Sequence, residues 1–127
     1  MKKLNVILGC IVCIVCIFLI IALTSFQKEE PLILGINPRV VTAKEKFNEI
    51  DGMASLGVNG RNFNKYDKIY VNDIEQLSTV AEDGRVVTCL VSDDLYQMPG
   101  VMKVQVKRVK DGQVIRKSNI VKIPVQK

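Results

Sequence analysis

The chain has no histidine and no tryptophan. Without an imidazole, Ser-His-Asp and Cys-His nucleophile systems are excluded, and with them nearly every catalytic zinc site. Aromatic residues make up 6% of the sequence, a thin supply for the stacked rings that glycan-binding surfaces use. Disulfides are equally scarce in prospect. Three of the four cysteines, Cys10, Cys13 and Cys16, fall inside one apolar run, which leaves Cys89 alone in the rest of the chain. No cystine can therefore brace the remainder, and its stability must come from a packed core. Strong charge of one sign is missing too. The net charge is +5, of which Lys2 and Lys3 supply two. The balance is too mild and too dispersed for a nucleic-acid footprint.

What the sequence does have is an uncharged run from Val6 to Phe26, preceded by Lys2-Lys3. As a helix rising ~1.5 Å per residue, it would span roughly 31 Å, the thickness of a bilayer's hydrocarbon core. A secretory signal peptide fits less well, because its apolar region runs to only about 7–15 residues and ends at a small-residue site. Leu23-Thr24-Ser25 places a bulky leucine where a small residue is wanted. Ile7-Leu8-Gly9-Cys10 likewise fails as a lipoprotein site, since the apolar run continues well past the cysteine. The expectation is one uncleaved transmembrane helix in the plasma membrane, N-terminus inside by the positive-inside rule, with the following residues on the extracytoplasmic side. Secretion after cleavage is the alternative.

Residues 1–27 thus read as a short cytoplasmic start and anchor, 28–31 as a linker, and 32–127 as one domain. About 97 residues follow the anchor, enough for a single core. Leu32–Ile36 is extended and ends at Asn37-Pro38. Arg39 to Asp51 lacks alternation and reads as an irregular connection with at most one short strand, closed by the Asp51-Gly52 turn. Period-2 alternation then predicts strands at Ala54–Val58, Lys68–Asn72, Val87–Val91, Val101–Val109 and around Val121–Val125. Asp83-Gly84, Pro99-Gly100 and Asp111-Gly112 punctuate them. Six or seven short strands without a soluble helix predict an all-β, antiparallel β-sandwich.

The order Ile36-Asn37-Pro38, Leu56-x-Val58-x-Gly60-Arg61-Asn62-Phe63 and Lys68-Ile69-Tyr70-Val71-Asn72-Asp73 resembles the immunoglobulin-like IPT/TIG family. Phe47-Asn48, Val87–Val91, Gly100–Val106 and Ser118-Asn119 extend the likeness across Leu32 to Val125. It departs at Ser92, where proline is usual, and at Asp73, where glycine is common. The resemblance implies an immunoglobulin-like fold serving as a spacer, a dimerisation surface, a receptor module or a companion of carbohydrate-active domains. It carries no catalytic motif, and fold alone does not give function. Gly60 is expected to supply a positive-φ turn after the second strand, and Phe63 to close one end of the core.

Candidate sites follow from side-chain chemistry. Gly9, Cys13 and Cys16 form a small-residue stripe that would permit close helix packing. Ligation of a metal by Cys10, Cys13 and Cys16 is disfavoured inside lipid, where they act as small apolar filler. Asn62, Asn64, Asp67 and Asp73 superficially suggest a calcium loop but lack its glycine and bidentate glutamate. Asp93-Asp94 diverge in an extended chain and do not form a facing carboxylate pair. Tyr70, Lys103, Gln105 and Lys107 should share an outward sheet face able to meet an acidic protein surface or a sugar. Cys89 is expected to be a buried, inert thiol. The sequence therefore predicts a non-enzymatic, membrane-anchored interaction or structural module, without cofactor or metal. Its partner would be a protein of the same membrane or a second copy, with polysaccharide binding as the alternative.

Overall fold

Alternation of apolar and polar side chains does set most of the strands. The structure, a computed structural model, describes residues 30–127. Val6–Phe26, with Gly9, Cys13 and Cys16, lies outside the described residues. Among those described, no helix is long and apolar enough to cross a membrane. The strands are β1 (Leu32–Asn37), β2 (Val41–Thr42), β3 (Ala54–Arg61), β4 (Asp67–Val71), β5 (Ile74–Glu75), β6 (Leu77–Val80), β7 (Val86–Val91), β8 (Gly100–Lys110) and β9 (Gln113–Gln126). A single 3-10 turn, Asp93–Tyr96, joins β7 to β8.

These strands form two sheets, one ordered β1-β3-β7-β6 and the other β2-β9-β8-β4-β5. Pairing is antiparallel except where β2 runs parallel to β9, at Val41↔Val125 and Thr42↔Gln126. That pair corrects the expectation of a wholly antiparallel arrangement, and β5 and β6 were not foreseen. Both sheets turn their alternate apolar residues inward onto one core. Leu56, Val58, Val87, Cys89 and Val91 come from the first sheet, and Ile69, Val71, Met102, Val104, Val106 and Ile123 from the second. Each fully buried aliphatic side chain stabilises by about 1.5–3 kcal/mol, so the alternation itself enforces register. Tyr96 and Phe47 close one end of the core with an edge-to-face contact at 5.1 Å, and Phe63 is buried in the same core.

Gly60 is a glycine for a different reason from the one expected. It lies inside β3, and a Cβ there would sit 1.8 Å from the Leu32 carbonyl oxygen. The residue allows β1 to cross close beside β3 rather than turning the chain. Asn62 carries the positive φ instead, at 66°. Asp51-Gly52 and Asp111-Gly112 have consecutive positive φ values, as tight hairpin turns require.

Three polar side chains tie elements together where ladder bonds stop. The Asn119 side chain accepts the Ile33 N–H at 2.8 Å and donates to the Ile33 carbonyl at 3.0 Å, fastening β1 of one sheet to β9 of the other. Ser118 Oγ accepts the Val106 N–H at 2.8 Å beside a ladder shift between Gln105 and Lys107. Buried Gln76 accepts the Ser92 N–H at 3.0 Å and donates to the Ile74 carbonyl at 3.0 Å. Among the described residues no buried side-chain nitrogen or oxygen lacks a partner, as a well-specified core demands.

Candidate functional site

The four residues expected on an outward face do come together on the β4–β8–β9 surface. Tyr70 on β4 stands directly opposite Gln105 on β8, with Lys68↔Lys107 as the neighbouring pair on the same face. On the other side of β8, Gln105 faces Ile120 and Lys103 faces Lys122. The inward residues between them, Val104 and Val106, are fully buried, so the pleat pushes Lys103, Gln105 and Lys107 outward.

Each side chain has a distinct setting. Lys107 Nζ lies 4.6 Å from the Tyr70 ring centroid and 3.2 Å from Asp73 Oδ1. Its side chain is 12% exposed against 88% for Asp73, so the ammonium is engaged within the fold and the pair contributes about 1 kcal/mol or less. The Tyr70 hydroxyl makes a long 3.5 Å contact to Glu75 Oε1. Partial burial and the Glu75 carboxylate raise the phenol above its ordinary value. Gln105 Nε2 donates to the Ser118 carbonyl at 2.8 Å. Asn72 grips the backbone of Lys103 from both sides, donating its N–H to the Lys103 carbonyl and accepting the Lys103 N–H, each at 2.9 Å. Lys103 extends from this fixed backbone and is exposed.

Tyr70, Asn72, Asp73, Lys103, Gln105 and Ile120 line a dent of about 130 Å³. Small-molecule sites run to roughly 300–1,000 Å³. The dent is therefore too small to enclose a ligand of that class. A larger recess of about 760 Å³ lies on the other sheet, lined by Leu34, Asn59, Arg61 and Arg85 among others. It is an open trough beside β1, and Asp83 is the one acidic side chain in its lining.

Asp67 and Asp93, among the remaining candidates, are each engaged by a neighbour within the fold. Asp67 is buried and accepts from Arg108 Nε at 2.9 Å, from Arg108 Nη2 at 3.2 Å and from the Asn64 N–H at 2.8 Å. Its carboxylate thereby fixes the Asn64 end of the β3–β4 loop to β8. Asp93 accepts the Tyr96 hydroxyl at 2.8 Å. Among the described residues no three histidines, cysteines or acids converge to hold a metal ion. Cys89 is a buried, unpaired thiol, and burial pushes its pKa to about 12. Burial thus favours the protonated thiol at neutral pH. The same burial, joined by Asp93 and then Glu49, raises Tyr96 to about 12.

Sequence reasoning did not foresee Ile120 and Asn72 in this surface. Ile120 follows the Ser118 bulge, and Asn72 takes a positive φ of 50°. An isolated Asn-Asp pair after a strand was the one signal for the latter. No known protein-family model matches the chain, and no curated protein sequence matches it.

Proposed function

We propose that the chain is a non-enzymatic, membrane-anchored interaction or structural module, carrying an immunoglobulin-like domain of IPT/TIG type on the extracytoplasmic side. The strand order supports the immunoglobulin-like reading. One sheet of four strands faces another led by the last two long strands, the ABED and CFG pattern with an added strand at each side of the second sheet. The Val6–Phe26 run and Lys2-Lys3 support the anchor and its orientation.

The observation that carries the functional reading is the assembled Tyr70–Lys103–Gln105–Lys107 face. It is open, braced from beneath, and too shallow to enclose a metabolite. A protein surface with an acidic group opposite Lys103 suits it. The Lys107 ammonium covers one face of the Tyr70 ring, where a sugar would stack, so a protein partner is preferred over a polysaccharide.

Extraction and shaving of intact cells test the anchor and its side. The full chain should stay with membranes through alkaline carbonate washing, and external protease should remove the 32–127 region. Release of the chain by carbonate, or protection of the domain until cells are opened, would overturn the reading.

A further inference from the structure

We propose that the β8–β9 turn end of the domain rests on an anionic phospholipid surface, with Val114 and Ile115 entering the headgroup layer. The proposal builds on the anchored reading above. Only Gln27, Lys28 and Glu29 separate the apolar run from Glu30. Four extended steps from Phe26 to Glu30 reach at most ~14 Å. Asn62 Nδ2 donates to the Glu30 carbonyl at 3.3 Å, which ties Glu30 to the β3–β4 loop. The Asn62 carbonyl in turn accepts from Arg108 Nη2 at 2.7 Å, and the Val109 N–H donates to the Tyr66 carbonyl at 3.0 Å. The base of the β8–β9 hairpin therefore lies at the same end as Glu30.

The hairpin continues past that base. β4 accompanies β8 as far as Arg108 and the Tyr66 carbonyl takes one further bond from Val109, so Lys110 and the Asp111-Gly112 turn project beyond it. Two residues at ~3.3 Å each give a projection of ~7 Å, about half the tether's full reach.

The tip has the chemistry of an interfacial contact. Arg108 faces Arg116 and Val109 faces Val114, which leaves Ile115 as an extra, unpaired residue in a bulge. Such a bulge re-aims side chains, and here Val114 and Ile115 are 45% and 43% exposed. Lys110, Arg116 and Lys117 surround them, with Asp111 as the single acid of the tip. Beside the tip, the Tyr66 ring lies 5.1 Å from Lys65 Nζ and 5.6 Å from Lys110 Nζ. Apolar side chains ringed by cations, with a tyrosine at the boundary, complement acyl chains, phosphates and the layer between them. Glu82 and Asp83 in the β6–β7 loop are acidic, which places the contact on the hairpin side of this end.

Because the chain has no tryptophan, a single introduced indole reports its own surroundings. The full chain is placed in lipid nanodiscs of phosphatidylcholine alone or with phosphatidylglycerol, each with acyl chains brominated near the headgroup. In anionic discs the indole of Ile115→Trp should be blue-shifted and quenched by roughly half, as a residue buried about 5–10 Å into the boundary requires. The indole of Met98→Trp, 79% exposed in parent form and just before the far end of β8, should be unquenched. Quenching at Ile115→Trp should fall at least about twofold in zwitterionic discs, or when Lys110, Arg116 and Lys117 are all changed to Gln. Equal, weak quenching of the two indoles in a chain retained by the discs would overturn the lipid contact alone. Equal quenching in both lipid compositions would overturn its anionic character. A chain that does not co-elute with the discs would overturn the anchored reading and the contact with it.

Discussion

Cys89 and Tyr96 are the residues whose chemistry the fold alters most. Both are acids whose neutral form the core favours, with ordinary values of 9.0 and 10.0 raised to about 12 in the folded state. The unfolded chain therefore loses these protons first as pH rises. Their contribution to stability is fully present below about pH 9 and is lost progressively toward pH 12. Urea unfolding of the 30–127 fragment, which contains the whole of this core, should show a midpoint flat from pH 7 to 8 and falling steeply above 9. In Cys89→Ala the fall should begin about one pH unit later. A midpoint unchanged up to pH 11 would show that neither group is sealed from water. Cys89 was legible from alternation alone, because Val87, Cys89 and Val91 share a face. Tyr96 was not, since its burial depends on Phe47 and on the 3-10 turn, neither of which has a local signature.

Among the elements, the loop between β3 and β4 depends most on a single interaction. Asp67 opens β4, Arg108 sits opposite it on β8, and their two-point contact fixes the loop that also holds Phe63. Removing one member of a buried pair leaves an uncompensated charge and costs about 3–5 kcal/mol. Asp67→Ala should lose that much stability in urea and should speed amide exchange at Asn64, whose N–H the carboxylate accepts. The double change Asp67→Leu with Arg108→Met should lie closer to the parent than Asp67→Ala does. If the single change costs under 1 kcal/mol, the pair is solvated and the loop is held by other means. Regular strands such as β7 and β8 were readable because every second residue is apolar. Gly60 misled because Asn59-Gly60 looks locally like a turn, whereas the close approach of Leu32 on β1, 28 residues earlier in sequence, is what demands it. β5 and β6 were hidden because Gln76 and Ser78 are polar residues with inward partners. Ser78 Oγ accepts the Ile69 N–H at 2.8 Å from across the fold, a contact that hydropathy cannot express.

Over the whole molecule, the strands run from the Glu30 end to the Met98 end, so the Tyr70–Lys103–Gln105–Lys107 face looks sideways from that axis. A domain standing on a short tether would present this face to neighbours in the same membrane. Outward alternation made the four residues legible as a set. The engagement of Lys107 by Asp73, which leaves Lys103 and its neighbour Lys122 as outward-reaching cations, depends on register and was not. The most direct measurement replaces Lys103 with a photo-cross-linking amino acid in the full chain and irradiates intact membranes. The predicted result is a discrete adduct with one membrane protein or with a second copy, diminished when a flexible linker is inserted after Glu29. No adduct from position 103, where the same probe at Lys46 on the β2–β3 connection yields one, would contradict the assignment of this face as the working surface.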